Sequence, residues 1–353
     1  MTPRERVRRA FDRVKADRVP IDYSANPGID GRLKAHFGLS QSDDEGLLQA
    51  LQVDFRFVGA SYRGRRLHPE VPDRRVDPAW GIRTRWIEHG SGGYWDYCDF
   101  PLADADEEKV AAWPLPTADD FDVSGVAEAC ARYDAYALCV QCYGDLINGN
   151  GMLRGMEQTL VDLATDDPAG MLLADRRFRL QQQVAERVFD AAKGRADILW
   201  LGEDLGTQDR QMVSADIFRK HILPQYRKLI DLGKSYGARV MIHTCGYSSW
   251  TYDDFITAGL DAVDTLQPEC RNMSPRYLME HFGTRLSFHG CISTAGELAF
   301  GDVAGVRRVL QDTLEVMMPG RGYMCSPTHS IQDNSPTENV LALYEAIPEL
   351  GRY

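Results

Sequence analysis

The sequence predicts an α/β protein folded as a single (β/α)8 TIM barrel across residues 1–353, and three observations carry that expectation. Eight short apolar runs recur along the chain, helical stretches separate most of them, and no repeat or low-complexity segment divides it. The runs are Val19–Tyr23, Val53–Val58, Tyr136–Gln141, Asp197–Gly202, Arg239–His243, Ala262–Gln267, Leu286–Gly290 and Gly322–Ser326. Strands alternating with helices build parallel βα units, and eight such units close a barrel. A chain of 353 residues with 44% hydrophobic content can bury one core of that size.

The helices announce themselves by spacing and punctuation. Residues 3–16 place Val7, Ala10, Phe11 and Val14 at the intervals of an amphipathic N-terminal helix, and Asp17-Arg18-Val19-Pro20 closes the stretch. Asp216–Tyr236 starts acidic, carries Ile217, Ile222, Leu223 and Leu229, and ends at Gly237. The segment from about 60 to 120 breaks the βα rhythm. It holds Trp80, Trp86, Trp95 and Trp113 among several Pro and Gly residues, and reads as an irregular insertion over the barrel mouth. It is either a substrate lid or an aromatic patch that closes the barrel's side.

Composition excludes several functions. A net charge of -12, with no basic cluster longer than Arg63-Gly64-Arg65-Arg66, argues against nucleic acid and anionic membrane as partners. No apolar stretch approaches the ~20 residues that span a bilayer. The first residues, Met1-Thr2-Pro3-Arg4-Glu5-Arg6, show no signal-peptide apolar region, so a cytoplasmic location is expected. Eight cysteines scattered along the chain read as reduced thiols.

In such a barrel the reacting groups stand at the C-terminal ends of strands. Those ends carry Asp22, the stretch Gln141 to Asp145 with Tyr143, Glu203 and Asp204, His243 and Cys245, Gln267 and Glu269, His289 and Cys291, then Cys325 and His329. In His243-Thr244-Cys245 the imidazole and the thiol lie two residues apart on a strand, so both emerge on one side. Neutral His nitrogen and Cys thiolate are favoured zinc ligands, and a zinc site that keeps an open position is catalytic. A third ligand is available far downstream at Cys325 or His329. His289-Gly290-Cys291 has the same spacing, and spacing alone does not choose between the two pairs. For Cys98, Cys130, Cys139 and Cys142 the reading is that of small buried hydrophobes, and for Cys270 and Cys291 it is open. Glu203 and Asp204 directly follow an apolar strand and suit metal binding, general acid work or substrate hydroxyls, with a turn-capping role as the plainer use of Asp204. Gly149-Asn150-Gly151 lacks the third glycine of a dinucleotide fingerprint and is read as structural.

Nearly the whole chain resembles the uroporphyrinogen decarboxylase superfamily. The resemblance runs through Arg4-Glu5-Arg6-Val7, Asp17-Arg18-Val19-Pro20, Leu153-Arg154-Gly155-Met156-Glu157, Gly202 to Gln208, Gly246 after the HxC triplet, and Ser335-Pro336-Thr337-Glu338-Asn339. It implies the barrel already read from the strands, and a homodimer. His243-Thr244-Cys245-Gly246 is similar to the zinc motif of the superfamily's cobalamin-dependent methyltransferases. These include methylcobamide:coenzyme M enzymes and enzymes that demethylate O-methyl or N-methyl compounds. The decarboxylases carry an arginine-rich segment after the first strand. Here Ile21-Asp22-Tyr23-Ser24-Ala25-Asn26-Pro27-Gly28 has no arginine before Arg32, which argues against porphyrinogen decarboxylation.

The same resemblance implies a site. Counting back from Pro336–Asn339, the methyltransferases' last cysteine ligand falls on His329, which also resembles the decarboxylases' active-site histidine, whereas Cys325 has the thiol chemistry; both stay open. A glutamate fourth ligand is available at Glu269 or Glu203. The expected metal ligands are thus drawn from His243, Cys245, Cys325, His329 and Glu269. Glu203, Asp204 and His289 are the expected catalytic groups, and Asp22, Tyr143 and Gln267 the expected substrate contacts. The implied cofactors are Zn2+ and a cobalamin carried by a separate corrinoid protein, because no histidine here sits in an Asp-x-His-x-x-Gly corrinoid motif. Gly202–Gln208 and Pro327 to Gln332 resemble the demethylating branch, which points to methyl transfer from a small methylated substrate to cobalt. Three alternatives remain: methylcobamide:thiol transfer in the opposite sense, a zinc-free lyase using Glu203, His289 and His329, and a barrel that binds substrate or corrinoid without chemistry.

Overall fold

The computed structural model describes residues 1–89 and 92–353. Seven parallel strands form one curled sheet in chain order: β1 (Phe55–Phe57), β2 (Ala137–Gly144), β3 (Ile198–Gly202), β4 (Arg239–Thr244), β5 (Ala262–Thr265), β6 (Ser287–Ile292) and β7 (Tyr323–Pro327). Every residue of β3, β5, β6 and β7 is buried, as expected for parallel strands covered by helices outside and filled by side chains inside.

The eighth expected strand, Val19–Tyr23, is reduced to one parallel bridge between Ile21 and Cys325. Pro20 has no N–H to donate, and the Ile21 N–H is taken at 2.7 Å by the Asp54 carboxylate rather than by a strand carbonyl. The segment still joins the two ends of the sheet. Pro20 and Asp22 exchange backbone hydrogen bonds with Cys325 (2.8 and 3.0 Å), and the Asp54 N–H donates to Ile21 O (2.8 Å).

The helix expected over residues 3–16 spans Pro3–Phe11, because Arg13 turns into the left-handed region at φ 53°. Thr2 and Glu5 form a capping box at its start. The stretch Asp216–Tyr236 opens as α-helix (Ala215–Ile217), passes through a π turn (Phe218–Ile222) and continues as Leu223–Ser235. Pro224 lies just after the π turn and cannot donate to the ladder, a known cause of such irregularity.

The insertion contains an antiparallel sheet of Arg75–Val76, Arg83–His89 and Gly92–Tyr97, with residues 90 and 91 outside the described residues. It shares a small hydrophobic cluster of Leu102, Ala105 and Val110 with Leu153, Ala169 and Leu173. Its tryptophans divide: Trp113 stacks on His68 at 4.6 Å, Trp80 lines a cavity beside the barrel, and Trp86 and Trp95 are exposed. Among the described residues, no helix is long and apolar enough to cross a membrane.

Candidate metal centre and cavity

A polar cavity of about 400 Å³ opens at the C-terminal ends of the strands. Asp22, Tyr143, Glu203, Asp204, His243, His289 and His329 all line it, as do Asp145 and Asp264. Phe57 and Trp200 supply an apolar wall.

His243 leaves the end of β4 and Cys245 follows it, with Cys245 Sγ 3.4 Å from His243 Nε2. His329 comes from the segment after β7, with its ring centroid 5.9 Å from that of His243. One ligand atom from each of His243, Cys245 and His329 lies within 4.8 Å of the others. Tetrahedral zinc with bonds of 2.0–2.3 Å sets its ligands ~3.3–3.8 Å apart, a distance that small rotamer changes reach from here. Desolvation and the neighbouring His243 hold the His329 imidazole below its ordinary pKa, which keeps it neutral and able to ligate.

What fixes this group lies behind it. Asp264, in β5, has its Oδ2 2.7 Å from His243 Nδ1 and its Oδ1 2.6 Å from His289 Nδ1. Thr265 Oγ1 adds a contact of 2.8 Å to His243 Nδ1. With Nδ1 occupied, Nε2 is the nitrogen that faces Cys245, the carboxylate–histidine arrangement that orients metal-ligating imidazoles. Asp264 stays ionised well below the usual carboxylate range: burial opposes this, and the two imidazoles outweigh burial. Burial likewise works against charge on His289, yet Asp264 and Asp22 bring its pKa up to about 9. Asp22 Oδ2 sits 3.2 Å from His289 Nε2, but that nitrogen makes no aligned hydrogen bond.

Backbone strain gathers at the same strand ends. Thr265 (φ 87°), Leu266 (φ 53°) and Cys291 (φ 70°) all sit in the left-handed region, which is costly for side chains, and for a β-branched one above all. Gly290 (φ 117°) can pass here because any Cβ on it would collide with the Thr265 carbonyl. The loops after β3 and β4 pack back to back, with Gly206 against Tyr247 and Gly246 against Gly206, leaving no room for side chains on either glycine.

The carboxylates after β3 brace these loops. Asp204 Oδ1 accepts from the Cys245 N–H (2.9 Å) and Oδ2 from Asn148 Nδ2 (2.8 Å). Glu203 accepts from the Leu146 and Ile147 N–H groups (2.7 and 3.0 Å) and from the Tyr226 hydroxyl (3.1 Å). Burial, and then Asp145, push its pKa up to about 8 against those three donors.

The remaining candidates lie elsewhere. Cys325 is wholly buried in β7 on the face opposite Ser326, which lines the cavity, and burial pushes its thiol up to about 12. Of the two alternatives for the third ligand, His329 is the one placed beside His243 and Cys245. Glu269 is exposed and accepts from Ser293 Oγ (3.1 Å), outside the His–Cys group. Gln267 Oε1 accepts from the Gly246 N–H (2.6 Å), so it holds the loop after Cys245 and does not line the cavity. In the rival pair, His289 faces the cavity while Cys291 is buried, with its thiol raised by burial. The residue that sequence reasoning missed is Asp264. A lone carboxylate within the apolar run Ala262-Val263-Asp264-Thr265-Leu266 was the available signal, since buried acids are almost always paired.

Fold and cavity together define a class: parallel α/β barrels with a polar cavity at the strand ends. Residues 174–350, half of the chain, match the family model for uroporphyrinogen decarboxylase (URO-D), and the chain belongs to that family. A methyltransferase from Methanosarcina mazei has a similar structure, with a TM-score of 0.66 over 99% of each chain at 16% sequence identity. No curated protein matched the chain.

Proposed function

We propose that this protein is a zinc-dependent methyltransferase that moves a methyl group from a small O-methyl or N-methyl compound to the cobalt of a corrinoid on a separate protein. The observation that carries the reading is the His243, Cys245 and His329 group backed by Asp264. One sulfur and two nitrogens suit zinc, and three protein ligands leave a position for substrate. The methyltransferase of similar fold lends support at the level of architecture.

In this reading His243, Cys245 and His329 would hold the metal, which would supply Lewis acidity to the methyl-bearing heteroatom. The leaving heteroatom would keep the electron pair of its bond to carbon, the methyl passing to a reduced cobalt that brings its own pair. Asp264 fixes the His243 tautomer, and Asp204 positions Cys245 through its backbone N–H. Tyr143, hydrogen-bonded to Gln141 (2.7 Å) and with its hydroxyl pushed up to about 12 by burial, then Asp264, is a neutral donor for orienting substrate. Phe57 and Trp200 would offer substrate an apolar wall on one side. The corrinoid protein would meet the barrel at the open mouth of this cavity.

One observation favours a second reading, the zinc-free lyase: the row Asp22, His289, Asp264 places a cationic imidazole in the cavity as a proton donor. Metal content separates the two. Elemental analysis of protein purified without chelators should find about one zinc per chain. Zinc should be lost in His243→Ala and Cys245→Ala, weakened in His329→Ala and retained in Cys325→Ala. A metal-free wild type, or methyl transfer unchanged in His243→Ala, would rule out the methyltransferase reading.

A further inference from the structure

Beside the polar cavity lies a second one of about 300 Å³, bounded by the end of β2, the long helix Pro168–Ala192 and the insertion. Its walls are largely apolar, with Trp80, Ile82, Phe121, Leu180 and Val184. Gln141, Tyr143 and Asp145 line both cavities, so the two adjoin across these side chains.

Arg177 also lines this chamber, with 5% of its surface exposed. A buried guanidinium is ordinarily paired with an acid. Among the described residues Arg177 forms no ion pair. Nη1 donates to Asn150 Oδ1 (3.1 Å), the guanidinium carbon lies 5.3 Å from the Trp80 ring centroid, and Nε is buried without a partner. Burial lowers its pKa only to about 10, so it remains charged at neutral pH. The acids whose fields reach it, Asp145 and Glu203, are beyond ion-pairing distance, and burial has raised them to about 6 and about 8. Arg177 thus holds its charge in a largely apolar chamber with no acid in direct contact, and the carboxylate of a ligand would supply one.

We propose that this side chamber binds the carboxylate of an aryl-carboxylate substrate, with Arg177 as its counter-ion and Trp80 and Phe121 against its ring. A methyl-bearing group at the far end of the ring then faces the polar cavity across Tyr143. Only that last point rests on the methyltransferase reading; recognition of the carboxylate does not.

The test is calorimetric titration of the full chain with 4-methoxybenzoate and its neutral isostere 4-methoxybenzamide, without corrinoid protein or turnover. The acid should bind at least about tenfold more tightly than the amide, the size of a charge-assisted contact. Arg177→Met should lose that preference, keep its zinc, and melt no lower than wild type when ligand-free, since it removes an unpaired buried charge. Val184→Trp fills the chamber, leaves the cation in place, and should weaken both ligands. Equal affinity for acid and amide, no binding of either, or acid affinity within about twofold of wild type in Arg177→Met overturns the proposal. Zinc-free protein that still prefers the acid keeps the chamber assignment and rejects only the methyl-transfer reading.

Discussion

A carboxylate inside a parallel strand is costly unless both oxygens are engaged, and in Asp264 each oxygen meets an imidazole, His243 on one side and His289 on the other. The residue therefore sets two ring orientations at once. It was hidden from sequence reading because strand-end logic looks to the last residue of a run, and Asp264 lies inside one. By contrast, the His243–Cys245 pair was legible, because a two-residue step on a strand fixes a shared direction whatever the surroundings. The prediction at this scale is that Asp264→Asn keeps the fold and binds zinc about 10- to 100-fold more weakly, the usual loss when the group behind a metal-bound histidine is changed. Competition against a chromogenic chelator measures it. Unchanged affinity would mean that Thr265 Oγ1 alone orients His243.

At the scale of elements, strand boundaries decided which side chains reach the cavity. The run Gly322–Ser326 located β7, but side-chain alternation turns Cys325 into the core, while the chain beyond Pro327 carries His329 to the rim. A one-residue uncertainty in a strand reverses such an assignment, so the choice between Cys325 and His329 could not be made from spacing. The insertion was illegible for a different reason: its strands are antiparallel and partly exposed, and they lack the buried runs that mark the barrel. Strain is an element-level feature too, shared between β5 and β6 where Gly290 passes the Thr265 carbonyl. Gly290→Ala should cost about 1–3 kcal/mol in urea unfolding. It should also loosen His289, which would appear as a shifted imidazole resonance by NMR. A fully stable variant would show that β6 can slide away from β5 without penalty.

The whole molecule is fastened at the end of the barrel opposite the cavity. Arg6 and Arg18 both reach the fully buried Asp54, at 2.5 and 2.8 Å, and Arg6 also holds Asp17 through Nε at 2.7 Å. These contacts tie the N-terminal helix to the segment that closes the sheet. They also give the fold a pH dependence that does not involve the metal-ligating groups. The Arg6 guanidinium holds the Asp17 carboxyl down at about 2. A group depressed in the folded state stabilises it above its unfolded pKa of about 3.9, and that contribution disappears as the pH falls from there through about 2. Wild-type unfolding free energy should therefore drop more steeply between about pH 5 and pH 2 than that of Asp17→Asn, while the two change in parallel above pH 5. Urea titrations across that range, on both proteins at matched ionic strength, measure the difference. Parallel curves throughout would mean that Asp17 is held no more tightly in the folded barrel than in the unfolded chain, and that the N-terminal helix is secured by Asp54 and by the pairs of Arg4 and Arg8 with Asp197.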